Sequence, residues 1–338
     1  QLTLENKQPH VFKRIFAIRG MGQVITVSCG LIVLCVVFGM INPNFYGPRN
    51  VANLLRQIAP YLIVGIGQSY VLITGNIDLS IGSVLGMSCM MSATLMCNGV
   101  PVVLAALITM CACLFTGVVN GTLVARCKLP PFIATLGTMT VARGIAQLVN
   151  NNMNTNSIGD GGQMFRDFFY YGKPLFGIYN TVWVAVVIWL IFNFILSQTR
   201  TGRHLYAAGS NVEAAKLSGV NIPVTVMKAY LVSSFCAGVV GLIQCATTGT
   251  GTMDAGMSYE MYAVAASVIG GVSTLGGQGI LLGTVVGACV WGVLNNGLQF
   301  AGAPVALRNI VIGVIVVLSV LLDVVARSGK FSKKPSAV

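Results

Sequence analysis

The chain has 338 residues, of which 55% are hydrophobic and only 8% charged. A water-soluble domain carries about a quarter charged residues, so this composition excludes an ordinary soluble fold. The formal charge of +12 does not mark a nucleic-acid binder, because the basic residues sit at the ends of apolar segments and form no aromatic-interleaved patch on a polar domain.

Ten apolar segments follow one another at 23–41, 52–74, 80–97, 101–123, 131–150, 180–198, 225–246, 260–272, 280–300 and 305–326. Stretches of about 20 apolar residues cross a bilayer, and shorter glycine-interrupted ones fit discontinuous helices. The expected fold is an all-α polytopic membrane protein of about ten transmembrane helices, some discontinuous, forming a single transmembrane domain over 23–326. Residues 1–22 are expected as a cytoplasmic N-terminal segment and 327–338 as a cytoplasmic basic tail. The first apolar stretch has full membrane length and no small-residue cleavage site, so it reads as a retained helix.

Positive-inside bias sets the orientation. Of the 20 Lys and Arg, 14 fall on one side: Lys7, Lys13, Arg14, Arg19, Arg126, Lys128, Arg200, Arg203, Lys216, Lys228, Arg327, Lys330, Lys333 and Lys334. That side is taken as cytoplasmic, with both termini there. Arg56 and Arg143 lie within segments, near their outer ends. The 10 cysteines fall almost entirely in apolar segments, where a thiol acts as a small hydrophobe. Cys111 and Cys113 point to different faces of one helix, far from His10 and His204, so no metal site is expected.

An internal repeat is visible. Asn120-Gly121 precedes Pro130 after the fourth segment, as Asn296-Gly297 precedes Pro304 after the ninth. Ser83-Val84-Leu85-Gly86 in the third segment has a counterpart, Ser267-Val268-Ile269-Gly270, in the eighth. Segments five apart run in opposite directions, so the pattern is that of an inverted-topology repeat.

The polar run from Thr74 to Ser80 interrupts an apolar stretch and carries Asp78. A carboxylate near the bilayer centre costs about 2.5–3.5 kcal/mol on insertion scales, so it needs a partner or water. Asp78 or Ser80 is expected to cap the third helix after a break at Gly75, near a solute pathway. Thr135, Thr138 and Thr140 on the fifth segment and Asn295, Asn296 and Gln299 on the ninth are further candidates to line it. Uncharged hydrogen-bonding groups suit a neutral polyol better than an ion. Gly82 and Gly86, and Gly283 and Gly287, are spaced for close helix contacts. The glycine-rich run 270–279 lacks the Gly-Lys-Ser/Thr ending of a phosphate loop and reads as a tight turn.

Two loops are long. Residues 151–179 are polar and turn-rich, either a docking surface for a soluble partner or a solvated linker. Residues 199–223 contain a helix of about two turns, from Asn211 to Ser218. Ser210 and Glu213 are placed as a capping box, Lys216 in the last turn, Gly219 just past the end, and Pro223 as the stop. Too short to be stable alone, this helix must lean on something.

At these residues the chain resembles a known family. Gly209-Ser210-Asn211-Val212-Glu213-Ala214-Ala215-Lys216-Leu217-Ser218-Gly219 looks like the Glu-Ala-Ala loop of ABC importer permeases. Gly75-Asn76-Ile77-Asp78-Leu79-Ser80-Ile81-Gly82-Ser83, Pro131-Phe132-Ile133-Ala134-Thr135, Tyr259-Glu260 and Leu294-Asn295-Asn296-Gly297 are similar to the permeases of ribose, galactose and arabinose importers. The resemblance covers residues 42–325. It implies a pair of permease subunits in the bacterial inner membrane, with a cytoplasmic nucleotide-binding ATPase that holds ATP and magnesium and an extracytoplasmic sugar-binding protein. Under it, Ser210, Glu213, Ala214, Ala215 and Gly219 couple the chain to the ATPase; the chain itself is expected to bind no cofactor and to have no catalytic residue.

The chain departs from those permeases in carrying Met261-Tyr262 where they commonly have Leu-Asp, and Gln244 and Thr247 where a Glu and an Arg are often found. The alternative is a gradient-driven secondary carrier, whose candidate acids are Asp78, Glu260 and Asp323.

Overall fold

A computed structural model describes residues 21–159, 162–173, 175 and 177–327. The expected N-terminal segment, except Met21 and Gly22, and all of the basic tail except Arg327 lie outside the described residues. So do Lys7, Lys13, Arg14, Arg19, Lys330, Lys333 and Lys334. The described residues form helices and loops, joined by one isolated bridge between Leu175 and Ile178.

Each of the ten apolar segments falls on a helix. In chain order these are α1 (Met21–Ile41), α2 (Pro48–Ile73), α3 (Ile81–Cys97), α4 (Val102–Ala125), α5 (Pro131–Leu148) and α6 (Asn180–Gln198). Two shorter helices follow, α7 (Arg200–Ser210) and α8 (Val212–Leu217), and then α9 (Ile222–Thr248), α10 (Tyr259–Ile269), α11 (Leu281–Phe300) and α12 (Val305–Arg327). Among the described residues, α1, α4, α6, α9 and α11 are long and apolar enough to cross a membrane by length and composition alone.

Burial explains why α2 falls short of that measure. It packs against α6, α9, α10 and α11, and every residue from Leu62 to Ile73 is buried. A helix wrapped in protein needs no lipid-compatible surface, and α2 carries Gln68 and Ser69 at zero exposure. Helix α9, 27 residues long, lies against α3, α4 and α2. Lipid-suited surface sits on the periphery instead, where α1 exposes Ile32, Val33 and Met40 and α6 exposes Val187, Leu190 and Phe194.

Helix α10 has 11 residues, about 16 Å, well short of a hydrocarbon core of about 30 Å. The segment before it is irregular. Gly249, at φ +69°, ends α9, and the chain then runs beside α3. The Cys89 thiol donates to the Thr250 carbonyl at 3.8 Å, Gly251 packs on Met90, and Ala255 and Gly256 lie against Gly86 and Gly82. The Gly82 and Gly86 pair is thus filled by a turn of irregular backbone, where the sequence suggested another helix.

The 151–179 loop is no solvated linker. Thr155 and Ile158 donate from their backbone to the Gly251 and Gly249 carbonyls at 2.9 Å, and Phe165 is buried. The Arg56 guanidinium of α2 lies between the rings of Tyr170 and Tyr179, 4.3 Å from each centroid. Backbone pairing and two cation–π contacts therefore hold the loop on the bundle.

Candidate functional site

The interruption between α2 and α3 is built around Asp78. Its backbone turns at Gly75, where φ is +75°, a left-handed conformation that suits glycine. Asp78 has zero exposure, and its carboxyl group accepts on both oxygens. Oδ1 takes the Ser80 amide at 2.9 Å and the Ser80 hydroxyl at 2.6 Å; Oδ2 takes the Ser233 hydroxyl of α9 at 2.7 Å. Asp78 is thus the cap of the break, and Ser80 makes no side-chain capping bond.

From Ser80 the network continues sideways. Asn120 Nδ2 of α4 donates to Ser80 Oγ at 2.9 Å, and Thr138 of α5 donates to Asn120 Oδ1 at 2.6 Å. Five buried side chains on four elements therefore form one chain of hydrogen bonds. A satisfied buried network fixes a unique arrangement, since each unpaired member would cost its desolvation. Thr135, one turn before Thr138 and also at zero exposure, bonds back to the Pro131 carbonyl of its own helix at 2.8 Å.

The remaining sequence candidates lie elsewhere. Asn296 of α11 and Asn50 of α2 exchange amide bonds at 3.1 and 3.2 Å, both buried. Asn295 donates to the Tyr61 hydroxyl at 3.2 Å, and Gln299 is exposed. Asn50 sits near the start of α2 and the break follows its end, 23 residues or about 35 Å along the helix. Thr140, exposed on α5, joins neither network, and the other seven candidates fall into two groups.

Two charged residues that the sequence reading named but did not assign to the pathway lie against α3. Arg143 of α5 donates from Nη1 to the carbonyls of Met253 and Ala255 at 3.0 and 2.8 Å, clamping the irregular segment before α10. Glu260, in the first turn of α10, lies against Gly82, while the Arg143 guanidinium lies against Gly86. Both are half-buried electrostatic neighbours without a direct ion pair. The clue in the sequence was an arginine and a glutamate inside apolar segments.

At the break, three loops meet through glycines. The Gly277 amide donates to the Ile73 carbonyl at 2.8 Å, at the last turn of α2. Gly276 packs on Gly75 and on the Gly209 carbonyl, and a Cβ on Gly209 would lie 2.6 Å from the Gly277 nitrogen. The Tyr206 hydroxyl of α7 donates to the Gly279 carbonyl at 2.6 Å. Burial pushes that phenol up to about 12, so it stays a donor at neutral pH. The glycine-rich 270–279 run is thus the seat on which α7 rests.

Helix α8 projects from this joint, and its capping differs from the sequence expectation. Ser210 is the last residue of α7, so it cannot serve as an N-cap, which requires non-helical backbone. The first extended residue is Asn211, at φ −160° and ψ 106°, and its side chain accepts from the Ala214 amide at 3.0 Å. Glu213 therefore stands at the second helical position, and Lys216 Nζ donates to its carboxylate at 2.6 Å. The C-terminus follows the expected pattern. Gly219 has φ +79°, its amide donates to Lys216, and the Val220 amide donates to Ala215, both near 3.0 Å. Pro223 does not stop a helix but sits in the first turn of α9, which Asn221 caps. Ala215 is buried as the anchor of α8; Glu213 and Leu217 are 78% and 90% exposed.

With the geometry in view, comparison with known proteins is decisive. Residues 50–320 match the family described as branched-chain amino acid transport system, permease component. The chain belongs to this family. It is a multi-pass membrane permease, a transport subunit and not itself an enzyme. It is 34% identical over 325 residues to the ribose import permease protein RbsC of Bacillus subtilis, covering 96% of this permease and 97% of that protein. It is 32% identical over 295 residues to the D-allose transport system permease protein AlsC of Escherichia coli, covering 87% and 89%. The galactose/methyl galactoside import permease protein MglC of Haemophilus influenzae is 32% identical over 326 residues, covering 89% and 94%. No solved structure matches the permease.

Proposed function

We propose that the permease forms the membrane pathway of an ATP-driven importer for a monosaccharide, with ATP and magnesium bound by a separate cytoplasmic ATPase and the sugar handed over by an extracytoplasmic binding protein. The names of the full-length relatives support a sugar over a branched-chain amino acid. In this reading the subunit sits in the bacterial inner membrane with both termini cytoplasmic, pairs with a second permease, and crosses the bilayer ten times on α1–α6 and α9–α12. The inverted repeat is supported by the matching positions of α2 and α9 at the centre of the packing, and by the irregular segments that precede α3 and α10.

The observation that carries the proposal is the joint between α8 and the break. Residues Ser210, Glu213, Ala214, Ala215 and Gly219 build or flank an exposed knob whose base is seated, through Gly209, on the last turn of α2. A partner that grips the knob pulls on the break that Asp78 organises. The pathway is assigned to Thr135, Thr138, Asn295 and Gln299 on its wall or beside it, with Asp78, Ser80 and Asn296 holding the helices that carry them. Residues 199–223 form the coupling loop of the domain 23–326.

Reconstituted into vesicles with its ATPase and binding protein, the permease is expected to accumulate sugar only when ATP and the ATPase are inside. Uptake driven by a proton or sodium gradient without ATP would replace this reading with that of a secondary carrier.

A further inference from the structure

Arg143 and Glu260 do no work in the coupling scheme above, yet they are costly residues to keep. Resting on the ten-span reading, both stand within the membrane, Arg143 twelve residues into α5 and Glu260 at the start of the half-length α10. Charged side chains at such depth face the bundle interior or a water-filled cavity, because lipid cannot solvate them. Neither is sealed inside this subunit, as both remain half-buried. Thr140, one turn before Arg143, Asp254, an electrostatic neighbour of Arg143, and Met261, next to Glu260, are exposed. A face that carries an open carboxylate and an open guanidinium is not a lipid face.

The arrangement of the two groups is specific. Gly82 and Gly86, one helical turn apart on α3, form the bed on which they lie, and the two heads stand farther apart than an ion pair. The guanidinium uses only Nη1, for the Met253 and Ala255 carbonyls, and its other N–H groups make no hydrogen bond among the described residues. The Glu260 carboxylate accepts no side-chain hydrogen bond among them. Opposite charges thus face each other across a gap that a direct ion pair does not close. A hydroxyl group bridges such a gap well, since it accepts from the guanidinium and donates to the carboxylate over two bonds of about 2.8 Å each. An alkyl chain offers no such pairing.

We propose that Arg143 and Glu260 form a hydroxyl-binding contact on the wall of the translocation pathway, where the transported sugar bridges the two charges in passing. The site is a transit contact for hydroxyl-bearing solutes, and it locates the water-filled path along the open sides of α5 and α10.

The test uses the complete importer in proteoliposomes, with D-ribose, D-allose and D-galactose as probes. Glu260→Gln keeps shape and removes charge; sugar uptake is expected to fall at least tenfold in kcat/KM, with KM raised. Met261→Cys and Thr140→Cys leave the pair intact. They are expected to react with a membrane-impermeant thiol reagent faster than the wild-type background, and transported sugar is expected to slow the reaction. Wild-type uptake by Glu260→Gln overturns the assignment, as does failure of both cysteines to label, which is the result for a lipid face or a face closed by the second subunit. A wild-type complex that moves none of the sugars overturns the importer reading and the assignment with it, whereas a sugar-transporting wild type beside equally active variants removes only the assignment.

Discussion

Replacing Asp78 tests whether the break between α2 and α3 is a built element. Asp78→Ala removes the acceptors of three hydrogen bonds and strands the Ser80 amide and the Ser233 hydroxyl, while Ser80 Oγ keeps the Asn120 donor. A buried polar group left unpaired costs about 1–3 kcal/mol, so two of them cost about 2–6 kcal/mol before any cavity is counted. Against a total stability of about 5–15 kcal/mol this is a large fraction. Asp78→Asn is different. Its carbonyl oxygen still receives Ser80, and its amide can donate to the Ser233 oxygen once that hydroxyl turns, so the expected loss is about 1 kcal/mol. Thermal unfolding of the detergent-purified permease, followed by size-exclusion chromatography after heating, should order the variants wild type, Asp78→Asn, Asp78→Ala. A double-mutant cycle with Ser233→Ala should return a coupling of about 0.5–3 kcal/mol. If Asp78→Ala unfolds with the wild type, or Asp78→Asn loses as much as Asp78→Ala, the network is not what holds the break.

Other outcomes are equally open to measurement. Glu213→Lys should abolish coupled uptake while the permease stays folded, because an exposed Glu213–Lys216 pair contributes only about 0.3–0.5 kcal/mol to the helix; normal uptake with normal transport-stimulated ATP hydrolysis would remove α8 from the coupling role. Glu213→Gln should be mild by the same assays. Asn211→Ala should destabilise α8 by about 0.5–2 kcal/mol through loss of its cap, whereas Ser210→Ala should leave that cap intact, a contrast readable by proteolysis of the 199–223 loop. Gly209→Ala should reduce folded yield or uncouple ATP hydrolysis from uptake, and an unaltered variant would show that the joint has slack.

The helices were legible because lipid demands long apolar runs, and the break was legible because an acid inside such a run is expensive. Gly219 announced the end of α8 by the left-handed turn it permits. Its beginning was misread, since Ser210 and Asn211 are both good caps and the choice depended on α7, whose residues Arg200–Ser210 contain two glycines and no long apolar stripe. The course of the segment Gly249–Ser258 was not legible. That it lies beside α3 depends on Gly82 and Gly86 offering a groove and on Arg143, more than 100 residues away, binding its carbonyls. Periodicity within one segment carries no record of such a partner. The packing of the 151–179 loop was hidden for the same reason: its backbone pairs with the segment after α9, and Tyr170 and Tyr179 hold Arg56.

The glycines at the joint bear on how motion passes through it. Where side chains separate two elements, a displacement of an ångström is absorbed by rotamer changes. At Gly75, Gly209, Gly276 and Gly277 the backbones touch directly, and an amide of one loop is bonded to the terminal carbonyls of α2. A close-packed contact of this kind has no soft degree of freedom in which to lose the movement. Movement of α7 and α8 must therefore shift the end of α2 or break the Gly277–Ile73 bond. The end of α2 is followed at once by the turn that presents Asp78 to α9 and Ser80 to Asn120 of α4, which in turn holds Thr138 of α5. A pull at the surface thus reaches the contacts among α3, α5 and α9 within one short loop, which is the mechanical requirement for a pathway powered from another subunit.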